Sequence, residues 1–187
     1  GLLLFQNGVD EFIPPRKGQK HALRIVREVL ARSKGSEQPY DEAAGETSFW
    51  RKIGLHLRHK FEAFKKRSKH QDRQTNIAQA LEFCHQVLHR RAVIFLISDF
   101  LDDGYIDVAR SVHRKHDLIS ILVNDAREFE IADEGLLTLE DAETGEICEV
   151  DTSSKAFREM ASAQAHARVN RLRDSFEASG FDLIEVD

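Results

Sequence analysis

Two residues in this chain have the type and position to do chemistry, Asp99 and Thr75. Asp99 follows Ala92-Val93-Ile94-Phe95-Leu96-Ile97-Ser98, a run without polar alternation and rich in β-branched side chains. Such a run reads as a strand buried on both faces, the kind found in parallel sheets covered by helices. In open α/β sheets the ligand site lies just beyond the carboxyl ends of the strands, so a carboxylate at position 99 stands at that rim. Thr75 opens the helix before this strand and can bring a hydroxyl to the same rim. An acid and a hydroxyl together suit a hard, oxygen-seeking cation such as Mg2+. The plainer reading of Asp99 is a strand-end cap, and Thr75 is an N-cap on either reading. No base stands at a recognisable spacing to make Thr75 a nucleophile.

Other constellations are weaker. Asp102, Asp103 and Asp107 add negative charge beside Asp99 and can attract a cation or a basic partner, although acids are ordinary in a loop and first helical turn. His85 and His89 are spaced to chelate a metal on one helix, but no third ligand is near. They read as surface histidines, as do His56 with His59 and His113 with His116. No HExxH and no phosphate-binding Gly-rich loop is present. Arg51 to Arg73 is rich in Lys, Arg and His, which leaves a nucleic-acid or anionic-membrane helix open as a reading. The plainer reading is a packed helix with a solvated basic face. Its apolar stripe of Trp50, Ile53, Leu57, Phe61 and Phe64 either packs on the domain or marks a partner surface, in which Trp50, Phe61, Asp102 and Asp103 would take part.

Length and composition limit the rest. At 187 residues the chain is one domain or most of one, and a hydrophobic share of 41% is enough for one core. A net charge of −5 gives no global case for binding nucleic acid. Cys84 and Cys148 form no CxxC pattern, which argues against a disulfide framework or structural zinc and fits a reducing cytosol. No apolar run approaches the length needed to span a bilayer.

The elements that must position Asp99 and Thr75 follow from hydrophobic period and breakers. Leu2 to Phe5 and Val9 to Ile13 read as strands of a hairpin around Asn7-Gly8, stopped by Pro14-Pro15. Gly18 to Arg32 is helical, with Leu23, Ile25, Val26 and Leu30 as its apolar stripe. A polar loop spans Ser33 to Thr47, and a helix runs from Ser48 to Lys69. The next helix, capped by Thr75, turns Ile77, Leu81, Cys84 and Leu88 inward. The Ala92–Ser98 strand, a helix to about Lys115 and a buried strand over Asp117–Val123 then give the βαβ rhythm of a parallel sheet. Leu136–Glu140 and Glu146–Val150 read as a hairpin turning at Glu143-Thr144-Gly145. Ser153 or Ser154 caps a long helix that Gly180 closes, and Phe181–Val186 is a last strand. The chain starts and stops inside strand-like runs, which reads as a fragment truncated at both ends.

Several segments resemble, in order, a bacterial von Willebrand factor A-like family known as domain of unknown function family 58. They are Gly1-Leu2-Leu3-Leu4-Phe5, Phe12-Ile13-Pro14-Pro15-Arg16-Lys17-Gly18 with His21, Thr75 with Ala80-Leu81, and Phe95-Leu96-Ile97-Ser98-Asp99-Phe100. His116-Asp117, Gly135-Leu136 and Asp141-Ala142-Glu143-Thr144-Gly145-Glu146 complete the set. The resemblance implies an open, mostly parallel sheet with helices on both faces and an added β-hairpin; the region over 36–74, with the basic helix, departs from it as an insertion where relatives have a shorter link. It also implies a metal-ion-dependent adhesion site built from three loops. Thr75 matches the second loop and Asp99 the third, while the Asp-x-Ser-x-Ser motif of the first has no counterpart here. On that reading the chain, residues 1–187, is a partial domain lacking the first strand, and a seam of unpaired backbone lies between Leu2–Phe5 and Ala92–Ser98.

The function implied is non-enzymatic: a protein contact bridged by Mg2+, which this chain would bind weakly or not at all. Genes of this family commonly neighbour those of MoxR-type AAA+ ATPases, so the implied partner is such an ATPase or its client protein. The rival reading is a Mg2+-dependent phosphoryl-transfer hydrolase using Asp99. It needs a Lys or Arg placed to stabilise phosphate charge. A third is binding of nucleic acid or an anionic surface through Arg51–Arg73.

Overall fold

The computed structural model describes residues 1–6, 8–33, 75–140 and 147–186, which divide into two compact units, Gly1–Val87 and Leu88–Asp187. The predicted helix over Ser48–Lys69 and the turn at Glu143-Thr144-Gly145 lie outside the described residues.

In the first unit, β1 (Leu2–Phe5) and β2 (Val9–Ile13) pair antiparallel, with Leu2 opposite Ile13 and a shift in register between Leu4 and Phe5. Helix α1 (Gln19–Ser33) follows, tethered to β2 by a 2.7 Å ion pair from Arg32 to Glu11. Burial, with Glu28 close by, pushes the Glu11 carboxyl above the usual carboxylate range despite that guanidinium. Pairs this exposed contribute about 0–1 kcal/mol. The apolar stripe predicted for α1 is present, but Leu23, Val26 and Leu30 remain exposed. Helix α2 (Ile77–Val87) packs on both strands of the hairpin. Its Ile77, Ala80, Leu81, Phe83 and Cys84 are buried, and Phe83 meets the Phe12 ring edge-to-face at 5.1 Å. Burial raises the Cys84 thiol to about 11, whereas Cys148 in the second unit is exposed.

The second unit contains a three-stranded parallel sheet in the order β3 (Val93–Ser98), β4 (Asp117–Val123), β7 (Asp182–Val186). Its register places Leu96 beside Ser120 and Ser120 beside Leu183. On that face Leu96, Leu118, Ser120 and Leu122 are buried. Helix α3 (Ile106–His113) packs on β4 through buried Ala109 and Val112. The 25-residue helix α5 (Lys155–Ser179) packs on β7 and buries Val169 and Phe176. The opposite face corrects the sequence reading of β3 as buried on both sides. Val93, Phe95 and Ile97 alternate along the strand at 56%, 58% and 58% exposure. The uninterrupted apolar run reports what the strand can bury, not what covers it. His116, expected at the surface, is 1% exposed just before β4.

Local chemistry sets the ends of α5 as expected. The Ser154 side chain accepts from the Phe157 amide, and Gly180 takes the left-handed conformation with φ 71°. Caps of this kind typically stabilise a helix by about 1 kcal/mol each. Outside the parallel sheet, β5 (Leu136–Glu140) and β6 (Ile147–Asp151) form the expected antiparallel hairpin, with Leu137 opposite Val150. A four-residue helix α4 (Ala126–Phe129), capped by the Asp125 side chain on the Arg127 amide, was not expected from the sequence.

Candidate functional site

Asp99 lies at the carboxyl end of β3, and its side chain is exposed. The turn that holds it is built from its neighbours' polar atoms. Asp99 Oδ1 accepts from the Leu101 amide at 3.2 Å and from the Ser98 hydroxyl at 3.4 Å, while Ser98 Oγ accepts from the Phe100 amide at 3.1 Å. Asp and Ser favour such side-chain-to-backbone turns. Here they aim the carboxylate outward beyond the strand.

Phe100 sits in the left-handed region with φ 54°, the one non-glycine with positive φ among the described residues. For a bulky side chain that is a true outlier. Such strain costs about 1–3 kcal/mol and persists only when the surroundings over-determine it. The ring is buried, edge-on to Phe176 at 5.3 Å and tilted against Tyr105 at 5.8 Å. The guanidinium of Arg168, on α5, supplies a second restraint. It donates from Nη1 to the Asp99 carbonyl at 3.1 Å and from Nη2 to Glu128 Oε2 at 2.6 Å.

The acids beyond the turn behave differently from Asp99. Asp102 is half-buried and accepts from the Asp103 amide at 2.8 Å, while Asp103 is exposed. The buried phenol of Tyr105 is pushed upward by desolvation and then by these two carboxylates.

Thr75 belongs to the first unit, and Asp99 to the second. Thr75 is half-buried but is not the cap of α2; the Gln79 amide donates to Asn76 Oδ1 at 2.8 Å, so the cap is Asn76. Asn is as good an N-cap as Thr or better, and the one-residue error follows from choosing between adjacent candidates. Trp50, Phe61 and all of Arg51–Arg73 lie outside the described residues. Sequence reasoning missed Arg168, Glu128 and Phe100 as parts of this site. Ser98-Asp99 carried a turn signal, but nothing local to position 168 marks a contact 69 residues away in sequence.

Among the described residues no group of three or more His, Cys, Asp or Glu is arranged to hold a metal ion. Mg2+ needs no such cage, because it keeps several waters and takes one or two carboxylates. The exposed carboxylate of Asp99, with the Ser98 hydroxyl beside it, fits that donor chemistry. Both terminal nitrogens of Arg168 donate within the turn's surroundings, one to the Asp99 carbonyl and one to Glu128.

A mixed α/β protein with a parallel sheet and an outward carboxylate at its rim is the class defined so far. The chain belongs to the family described as "Protein of unknown function DUF58", which it matches over residues 1–171. It is similar to "Uncharacterized protein Rv1480" of Mycobacterium tuberculosis, 29% identical over 99 residues, or 52% of this chain and 31% of that protein. It is also similar to "Uncharacterized protein MAV169" of Mycobacterium avium, 32% identical over 101 residues, or 52% of this chain and 59% of that protein. "Uncharacterized protein Mb1516" of Mycobacterium bovis matches at 29% identity, with 31% of its own length covered. The chain thus spans about a third of most of these relatives and somewhat over half of the other. No solved structure matches. Among the described residues no helix is long and apolar enough to cross a membrane.

Proposed function

We propose that this protein is a cytoplasmic, non-enzymatic interaction module of von Willebrand factor A type. Asp99 would contribute to a metal-ion-dependent adhesion site, and the partner would be a MoxR-type AAA+ ATPase or its client protein. The observation that carries this reading is the Asp99 turn. An exposed carboxylate stands at the carboxyl end of a parallel strand, its Oδ1 accepting from the Ser98 hydroxyl and the Leu101 amide.

When bound, Mg2+ would supply a positive bridge between Asp99 and an acidic side chain of the partner. Asp99 would hold its oxygens at the rim. Asp102 and Asp103 would favour a partner whose flanking residues are basic. Trp50 and Phe61 are a second proposed contact for the same partner.

The test is binding of the full-length protein to a MoxR-type ATPase, with Mg2+ or with a chelator. Asp99→Asn is expected to weaken binding about 100-fold, the order lost when one member of a close charged contact is removed. Chelation should do the same to the wild type and add nothing to the variant. An unchanged affinity in both arms would remove the adhesion-site reading.

A further inference from the structure

The peptide between Asp99 and Phe100 is held at both polar ends. Its carbonyl accepts from Arg168 Nη1 at 3.1 Å, and its N–H donates to Ser98 Oγ at 3.1 Å. Phe100, on its far side, has φ 54°. Rotating this one peptide plane exchanges positive for negative φ at Phe100, a relief that a bulky side chain favours. The bond from Arg168 opposes that rotation, because it exists only while the carbonyl points toward α5. The Phe100 ring opposes it too, through Phe176 on the same helix, roughly two turns beyond Arg168. Arg168 is fixed in turn by Glu128 on α4 at 2.6 Å, and its side chain is only 25% exposed.

We infer that Arg168 is a positioning residue: with Glu128 it latches the Asp99–Phe100 peptide in its strained orientation and thereby sets the direction in which the Asp99 carboxylate is presented. The functional weight of the latch rests on the adhesion-site reading above, but the latch itself does not. A helix and a short helical turn, both after β4 in the chain, thus control the aim of a carboxylate that follows β3. The ion pair alone would be a routine surface contact. The carbonyl bond beside a left-handed phenylalanine makes it more than that.

Amide hydrogen exchange in the full-length protein tests this without metal or partner. The Phe100 and Leu101 amides donate to Ser98 Oγ and Asp99 Oδ1, so their protection reports the turn. In Arg168→Ala both should exchange at least about 10-fold faster, the factor for losing one charge-assisted bond. The β4 amides that pair with β3 should be unchanged, and Arg168→Lys should recover part of the protection. Glu128→Gln, which leaves Arg168 in place, should give a smaller loss at the same two amides and serves if Arg168→Ala does not fold. Unchanged protection of Phe100 and Leu101 in the folded variants would overturn the latch. So would a loss spread evenly over the sheet, since that is general destabilisation.

Affinity separates the two claims. Paramagnetic broadening by Mn2+ alone should show at least about 10-fold weaker binding in Arg168→Ala, the scale on which partners that orient a metal ligand act. If the turn loosens while Asp99→Asn leaves both Mn2+ and ATPase binding intact, the latch stands and the adhesion-site reading falls. If Asp99→Asn abolishes binding while Arg168→Ala leaves it and the turn unchanged, the reading stands and the latch falls.

Discussion

Replacing Phe176 by Ala is expected to destabilise the second unit by about 3–5 kcal/mol, the usual cost of truncating a buried phenylalanine. The side chain is 1% exposed. Its ring lies edge-on to Phe100 at 5.3 Å and to Phe181 at 5.6 Å, and tilted to Tyr105 at 6.3 Å. Aromatic pairs of this geometry add about 0.5–1.5 kcal/mol each beyond their buried area. Three partners lose contact at once, so the upper part of the range is expected. The change also removes the wall against which the strained Phe100 rests, so exchange at the Leu101 amide should rise more than at amides within β4. Urea unfolding followed by tyrosine fluorescence, with exchange measured in parallel, checks both. A loss below about 1 kcal/mol would mean that the surrounding rings collapse into the space, and that the cluster does not hold Phe100 in place.

Phe83→Ala should have a comparable effect in the first unit. Phe83 is 0% exposed, and its ring meets Phe12 edge-on at 5.1 Å, joining α2 to β2. A cost of about 3–5 kcal/mol is again expected. It should appear as lost exchange protection across the Leu2–Ile13 hairpin, because a two-stranded hairpin is marginal in water without something packed on it. Leu2–Ile13 amides that stay protected in Phe83→Ala would show that α2 is not what holds the hairpin together.

The order of strands and helices was largely readable from sequence because each element carries a local signal. The period of apolar residues marked Ile77–Val87, the unbroken apolar runs marked β3 and β4, and Ser153-Ser154 with Gly180 bounded α5, Ser154 being the cap. What escaped was contact between distant positions. The alternation of exposed Val93, Phe95 and Ile97 with better-covered neighbours is invisible in a run whose members are all apolar. His116 looked like any surface histidine because its burial is decided by what packs over it. At the site, the rim position of Asp99 followed from the strand before it. The latch did not, since a positive φ at phenylalanine has no compositional signature and Arg168 is distant in sequence.

The unequal burial of the two cysteines makes the chain its own reporter. The thiolate is the reactive form, so Cys84, buried and raised to about 11, should be silent to a maleimide at neutral pH while exposed Cys148 reacts freely. Each unit therefore contains one thiol. A dye placed on Cys148 without mutagenesis sits on β6, within the β5–β6 hairpin. A second labelling event then marks the moment α2 opens, so opening of the first unit can be timed by mass spectrometry in an unaltered sequence.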